Sequence, residues 1–490
     1  VNARARSALG AALLAACAPL AHAAADRTKP PSTGSPRSLR LPPIQKLALA
    51  SGLPVILAET REVPTVEVLL VIRTGAASDP QGRAGLAAMT ADMLDEGAGG
   101  KDALTLADAL DLVGAELTTS SSWDASVIRM HVPSARLSAA LPLMADVALR
   151  PSFRSKDLDR LRKEYLTSIL QARDDPAELG ALALAKAVFG EGHRYGFPVT
   201  GDARSIATLR LSDLRTFHTT HYKPGNAALI VAGDADAANL LPLLEKVFGP
   251  WRKGGAPPAP VPDAAQVNGR FVWLVDRPGS AQSVIRIGRV GPPRVNNDYH
   301  ALEVMNTLLG GSFTSRLNDN LREQHGYAYR ARSGFDYRRA VGVFAAAADV
   351  QTASTADALS EFLRELQRIR SPASKEEVER ARNYLAFGYA EDFETTRQIA
   401  GKLADQVVYG LLEDEFTSFV SKVQNVDARA VQRAAEAEID TGNMAIVVVG
   451  DREKVERGLR TLGLGQINVL SVDQLMGPPP RFEAAPGGSP

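Results

Sequence analysis

The chain repeats itself once at long range, and that repeat limits the folds open to it. Gly225-Asn226-Ala-Ala-Leu-Ile-Val-Ala-Gly233-Asp234 precedes an amphipathic stretch from Ala237 to Val247. Gly442-Asn443-Met-Ala-Ile-Val-Val-Val-Gly450-Asp451 precedes another, from Lys454 to Leu462. The glycine landmarks lie 217 residues apart (225 to 442, 233 to 450), and Val71-Ile72-Arg73-Thr74-Gly75 lies 213 residues before Val284-Ile285-Arg286-Ile287-Gly288. A period near 215 residues is far longer than that of a solenoid, so it describes two homologous halves of about 210 residues each.

Each half alternates strand and helix patterns. Leu53 to Leu57, Thr65 to Ile72, Ala115 to Thr119 and Ser126 to Val132 are β-branched and partly alternating, whereas Ala103 to Leu112, Ala135 to Ala148 and Ser155 to Gln171 have helical spacing. Adjacent strand pairs followed by runs of helices predict an α+β fold with mostly antiparallel sheet. Lys253-Gly-Gly-Ala-Pro-Pro-Ala-Pro-Val-Pro262 separates the halves and reads as a linker. The expected organisation is a first domain at 45–252, a linker at 253–268, a second domain at 269–465 and a tail at 466–490, loose from about Gly477.

The first residues read as targeting rather than fold. Arg4 and Arg6 precede an apolar run from Ala8 to Leu20 that is too short to span a bilayer, and Ala21-His22-Ala23 fits a cleavage site. Residues 1–23 are therefore expected to be a signal peptide, and 24–44, rich in Pro and Ser, a flexible tether; the expected location is the periplasm. Leu14-Ala15-Ala16-Cys17 also fits a lipobox, so a membrane enters only through lipidation of Cys17, the sole cysteine. Either way the mature protein has no internal disulfide. Acidic and basic residues balance at 56 each, and no Lys/Arg stripe interleaves with aromatics, which argues against nucleic acid as a partner.

Two segments carry chemical information. The first is Ala84-Gly-Leu-Ala-Ala-Met-Thr-Ala-Asp-Met-Leu-Asp-Glu-Gly97, with Leu86, Met89, Met93 and Leu94 on one helical stripe and Gly97, Gly99 and Gly100 ending it. The second is Leu309-Gly-Gly-Ser-Phe-Thr-Ser-Arg-Leu-Asn-Asp-Asn-Leu-Arg322-Glu-Gln-His-Gly-Tyr-Ala-Tyr329. Together they resemble the insulinase, pitrilysin and mitochondrial-processing-peptidase family of inverted-motif zinc peptidases, over about residues 45 to 465. The resemblance implies two ferredoxin-like halves, each a mostly antiparallel sheet covered by helices. It also places H-x-x-E-H where this chain has Ala88-Met89-Thr90-Ala91-Asp92. Both ligand histidines and the general-base glutamate are thus missing. The family's third ligand would fall near Thr167-Ser168-Ile169, where there is no acid; Glu164 is the nearest. Catalytic zinc needs about three protein ligands and an open position, so no metal or other cofactor is expected in this chain.

The second segment keeps the family's pattern. The resemblance implies that Arg322 and Tyr329 reach a zinc site held by the other half or by a partner chain, where a phenol can donate to the oxyanion of peptide hydrolysis and a guanidinium can fix a substrate carbonyl. The plainer alternative is a helix-capping arginine and an ordinary strand aromatic. The reading adopted is the zinc-lacking subunit of a heterodimeric metallopeptidase, with a zinc-bearing subunit of the same family and unfolded peptides as partners. Two alternatives stand beside it: a non-enzymatic scaffold or peptide-binding protein, and a peptidase with an atypical metal site built from Asp92, Glu164 or Glu96. His218-Thr-Thr-His221, His193, His325 and Tyr327 are weaker candidates, expected to be structural or solvent-facing.

Overall fold

The central strands of both halves are continuous apolar runs, the pattern of strands covered on both faces. Strand β3 of the first half, Thr65–Ile72, has Val66, Val68, Leu70 and Ile72 in one core and Leu69 and Val71 in another. In the computed structural model, which describes residues 34–255 and 260–480, it belongs to a six-stranded sheet. The other members are β1 (Ile44–Ala48), β2 (Pro54–Glu59), β4 (Glu116–Ser121), β5 (Ser126–Pro133) and β6 (Ala227–Gly233), in the order β1-β2-β6-β3-β5-β4. The second sheet contains β7 (Phe271–Asp276), β8 (Gln282–Gly291), β9 (Ala328–Asp336), β10 (Gly342–Gln351), β11 (Ala445–Gly450) and β12 (Ile467–Leu470), in the order β12-β7-β11-β8-β10-β9. Five strands of one sheet therefore match five of the other in position, and in each only β2–β6 or its counterpart β7–β11 is a parallel pair within that shared part. The fold is α+β in two homologous halves, as the repeat predicts.

Four helices position the candidate sites and join the halves: α1 (Leu86–Asp92), α2 (Ser155–Ala172), α3 (Pro176–Phe189) and α4 (Thr396–Tyr409). The halves exchange two of them. Leu179, Ala183, Leu184 and Val188 of α3 pack on Val284, Val447 and Val449 of the second sheet. Reciprocally, Ile399, Leu403 and Val408 of α4 pack on Ile56, Leu69, Val71 and Ile230 of the first. Local sequence fixes where both begin: Asp175 accepts from the Ala177 and Glu178 amides with Pro176 at the first helical position, and Thr395 with Gln398 forms a capping box. The linker thus divides the sequence but not the packing.

Two expected boundaries shift. Strand β1 begins at Ile44, the last residue of the expected tether, and pairs antiparallel with β2. The second half does not stop at 465: β12 pairs parallel with β7, and the helix Val472–Met476 seats Leu475 in the core shared with α3. Four strand residues between Gly465 and Ser471 are too short a run to show a period, so their role is set by the β7 edge they meet. The expected signal peptide, including Cys17, and the end of the tail at 481–490 lie outside the described residues. Among the described residues no helix is long and apolar enough to cross a membrane.

Candidate functional site

Helix α1 is the place to look for a metal, and its start is firmly held. The buried Asp79 carboxylate accepts from the amides of Gly85 (2.9 Å) and Ala87 (2.8 Å). Gly85 itself sits at φ 91°, where a side chain would also strike the Thr200 carbonyl. Arg194 binds the same carboxylate at 2.8 Å and donates to the carbonyls of Pro198 (2.9 Å) and Val199 (3.2 Å), joining the helix to the adjacent loop. Burial pushes the Asp79 carboxyl upward, and Arg194 opposes the shift. The stripe Leu86, Met89, Met93 and Leu94 is buried as its spacing predicts, and Gly97, Gly99 and Gly100 all adopt positive φ where the helix stops.

What this helix presents is not a metal site. Ala88 and Ala91 are buried and offer no lone pair. Asp92 is claimed by Tyr165 of α2, whose hydroxyl donates to its Oδ2, and burial raises the pKa of both groups. Glu96 and Glu164 share one cation: Arg160 pairs with both, at 2.6 Å for Glu164. The acids named as an atypical metal site thus each have a partner from this chain. Among the described residues no group of three or more histidine, cysteine, aspartate or glutamate side chains could hold a metal ion. Zinc, implied by the family pattern, does not fit this donor set. Tyr165 and Arg160 escaped the sequence reading although both lie on the same helix as the position expected for the third ligand, within two turns before it.

Asp92 and Tyr165 open onto a cleft of about 1600 Å³. Leu166 and Ile169 of α2, Phe197 and Pro198 form apolar stretches of its wall, with Arg83, Arg204 and Lys186 among its charges. Neither Arg322 nor Tyr329 lines it.

Those two residues meet elsewhere, on the second half. Leu317 and Leu321 bury the inner face of their helical segment, and His325 N reaches back five residues to the Asn320 carbonyl, a π-type turn that brings Arg322 around. Gly310 is required because its Cα abuts the β9 backbone: a Cβ there would lie 2.3 Å from Ser333 N. Arg316 donates two hydrogen bonds to the Glu377 carboxylate, both at 2.8 Å, and holds that carboxyl down at about 2. Asn318 donates to the Phe313 carbonyl at 2.8 Å and accepts from the Ala331 amide at 3.1 Å, so Arg316, Asn318 and Gly310 of the segment are architectural. Tyr329 differs: Ala328 pairs with Val350 and Ala331 with Ala348, so Tyr329 and Arg330 form a bulge opposite Asp349 and both are exposed. Tyr329 is 86% exposed, and the Arg322 guanidinium lies 5.3 Å from its ring and 4.6 Å from that of Phe313. Tyr327 is half-buried against the second core and stacks on His325.

The remaining histidines do not converge. His218 lies against the Ala148 carbonyl at 2.9 Å and stacks near Tyr222, and burial lowers its pKa. His193 accepts from the Tyr195 amide and reaches the Pro262 carbonyl at 3.0 Å.

Comparison with known proteins agrees with this two-half layout. The profile described as Insulinase (Peptidase family M16) matches residues 54–195, and that of the Peptidase M16 inactive domain matches residues 208–385. An uncharacterized zinc protease of Mycobacterium tuberculosis is 30% identical over 331 residues, which cover 66% of this chain and 75% of the relative. The chain belongs to the insulinase family, peptidase family M16. It is a member of the type that lacks the zinc motif. Among solved structures, a peptidase M16 inactive domain from Pseudomonas fluorescens superposes with a TM-score of 0.78 at 26% identity, covering 83% of this chain and 98% of that one. A Helicobacter pylori protease gives 0.77 at 20% identity over 84% and 100% of the two chains. Cytochrome b-c1 complex subunit 1 of Caenorhabditis elegans is 22% identical over 424 residues, 84% of this chain and 89% of the relative.

Proposed function

We propose that this M16 chain is the zinc-lacking subunit of a heterodimeric metallopeptidase and supplies Arg322 and Tyr329 to the zinc site of a partner. The observation that carries the reading is the placement of that pair: the two side chains are stacked together, yet Tyr329 is 86% exposed on a bulge of an edge strand, outside this chain's own cleft. An ordinary strand tyrosine buries its ring; this one is presented to another molecule. Against a partner, its hydroxyl would donate to the oxygen on which charge develops as a peptide carbonyl is attacked, while Arg322 fixes a neighbouring carbonyl. The cleft beside Asp92 and Tyr165 forms a further wall of the chamber. Unfolded peptide enters by strand addition to an edge of one of the two sheets, whose outer strands are β1 and β4 in the first and β12 and β9 in the second. The Arg4/Arg6 leader pattern and Ala21-His22-Ala23 support export to the periplasm.

A scaffold role is favoured by one specific finding, the match to a cytochrome b-c1 complex subunit over most of both chains. Peptide cleavage by the purified chain, alone and mixed with an H-x-x-E-H relative from the same cell, separates the two when zinc is quantified in each sample. Activity and zinc confined to the mixture, with loss of rate in Tyr329→Phe, is the expected result. A relative whose activity is indifferent to this chain would leave the scaffold.

A further inference from the structure

We propose that residues 467–480 form a displaceable strap over the cleft, and that an extended peptide entering the cleft pushes it aside. The proposal rests on the reading of the cleft as a peptide site. Gln474, Leu475, Met476 and Pro478 to Pro480 line the same cleft as Asp92 and Tyr165, so this segment forms part of the cleft wall.

The manner of attachment is that of an extended ligand. Strand β12 adds to the β7 edge in parallel, pairing Ile467 with Val272 through to Leu470 with Val275, and all four of its residues stay half-buried. Beyond it, two cations of the first half hold main-chain oxygens: Lys186 Nζ donates to the Leu475 carbonyl and Arg173 Nη1 to the Gly477 carbonyl, each at 2.7 Å. Such donors recognise a backbone, not a sequence, and would serve any extended chain laid in the same track. Arg173 adds an ion pair with Asp473, whose side chain is mostly exposed. The three prolines have no N–H to give to a strand ladder and hold an extended form, so they line the wall without being captured by it.

Few buried apolar side chains hold the strap down. Leu475 is its one fully buried side chain; Val472 and Met476 only pack against that core from the side. A segment with one fully buried apolar side chain, half-buried neighbours and a short edge strand belongs to the part of a protein that opens locally, well before the sheets do. β11 is the opposite case: every residue is buried, and Val449 lies in the same core cluster as Leu475.

That contrast supplies the test, made on the full chain in a Cys17→Ser background. Leu475→Cys and Val449→Cys are each treated with a maleimide, with and without a fluorescein-labelled unstructured peptide whose binding is followed by anisotropy. Local opening predicts that Cys at 475 reacts at least about 100-fold faster than Cys at 449. Bound peptide should speed the reaction at 475 in step with occupancy and leave 449 unchanged. Equal slow rates at the two positions would show that the segment is ordinary core and overturn the strap. Peptide that binds without speeding position 475 would overturn displacement. Absence of binding in the anisotropy channel removes the peptide reading of the cleft and displacement with it, while the rate ratio without peptide still decides whether the segment opens. Should Leu475→Cys fail to fold, Met476→Cys, half-buried on the same wall, takes its place.

Discussion

In the first half of this molecule the helix that faces the cleft carries alanines where ligands would stand, and its one remaining acid is tied to a tyrosine. In the second half a helical segment and the bulge of the equivalent edge strand bring together an arginine and a tyrosine, and the tyrosine stands exposed. The five shared strands have the same order in both, so the difference is not architectural. Chemistry here is a matter of a few side chains set on a common frame, and one half can lose it without disturbing the frame. What keeps α1 in place without a metal is visible: Asp79 caps its start, and the Asp92–Tyr165 hydrogen bond joins its end to α2.

The reciprocal exchange of α3 and α4 makes the sharpest claim about the halves, that neither is complete alone. Leu403→Ala and Leu179→Ala each remove a buried side chain from a helix donated to the other half, and each should cost about 2 to 5 kcal/mol. Urea unfolding followed by fluorescence and by circular dichroism should keep a single coincident transition in both variants. Two separated transitions would show halves that fold independently and would break the comparison.

The functional asymmetry comes next. Tyr329→Phe removes only a hydroxyl that is already in solvent, so the stability of the chain should be unchanged. In the mixture with a zinc-bearing relative, the rate of peptide hydrolysis should fall about 10²- to 10³-fold, the usual loss for one oxyanion donor. Tyr327→Phe, changing a half-buried ring packed on His325, should leave that rate alone. A drop for Tyr327 and none for Tyr329 would reverse the assignment.

The first half gives smaller effects of a different kind. Tyr165→Phe leaves Asp92 buried without its donor, and should cost about 1 to 3 kcal/mol in denaturant titrations while adding no zinc to the purified chain. Stoichiometric zinc, lost on Asp92→Ala, would restore the atypical metal site that the paired acids argue against.

The range of each interaction decides whether the sequence alone reveals it. The repeat, the strands at 65–72 and 126–132 and the helix at 103–112 are local apolar periods, and the structure keeps them nearly residue for residue. The missing ligands at Ala88, Ala91 and Asp92 are legible for the same reason, being a pattern of neighbours. Tyr165 on Asp92, Arg160 on Glu96 and Arg194 on Asp79 are not, because each joins residues more than sixty positions apart whose types alone specify no partner. The helix exchange is equally hidden: α3 and α4 have ordinary amphipathic patterns, and nothing in a period says which sheet it will cover. The bulge at Tyr329 likewise depends on the register of β9 against β10, which two strands decide together.

The smallest effect tests what the lost site costs. Asp95, one turn beyond α1, is pushed up to about 6, mainly by burial, with Glu96 and Asp92 adding like charge. In the unfolded chain the same carboxyl titrates near about 3.9. Between those two values the folded state binds the proton more tightly, so this group adds stability as the pH falls from about 6 to about 4, and at neutral pH it subtracts. Asp95→Asn removes the charge and keeps the shape. It should therefore raise stability at pH 7.5, by on the order of 1 to 2 kcal/mol once solvent screening at its partly exposed edge is allowed for, and the gain should close below about pH 4. Thermal unfolding across that range reads both the size and the sign. A gain that instead widens on acidification would mean that the Asp95 carboxylate is held by a cation in the folded chain. The first half would then have kept a charged site, and its difference from the second would be one of occupancy, not of loss.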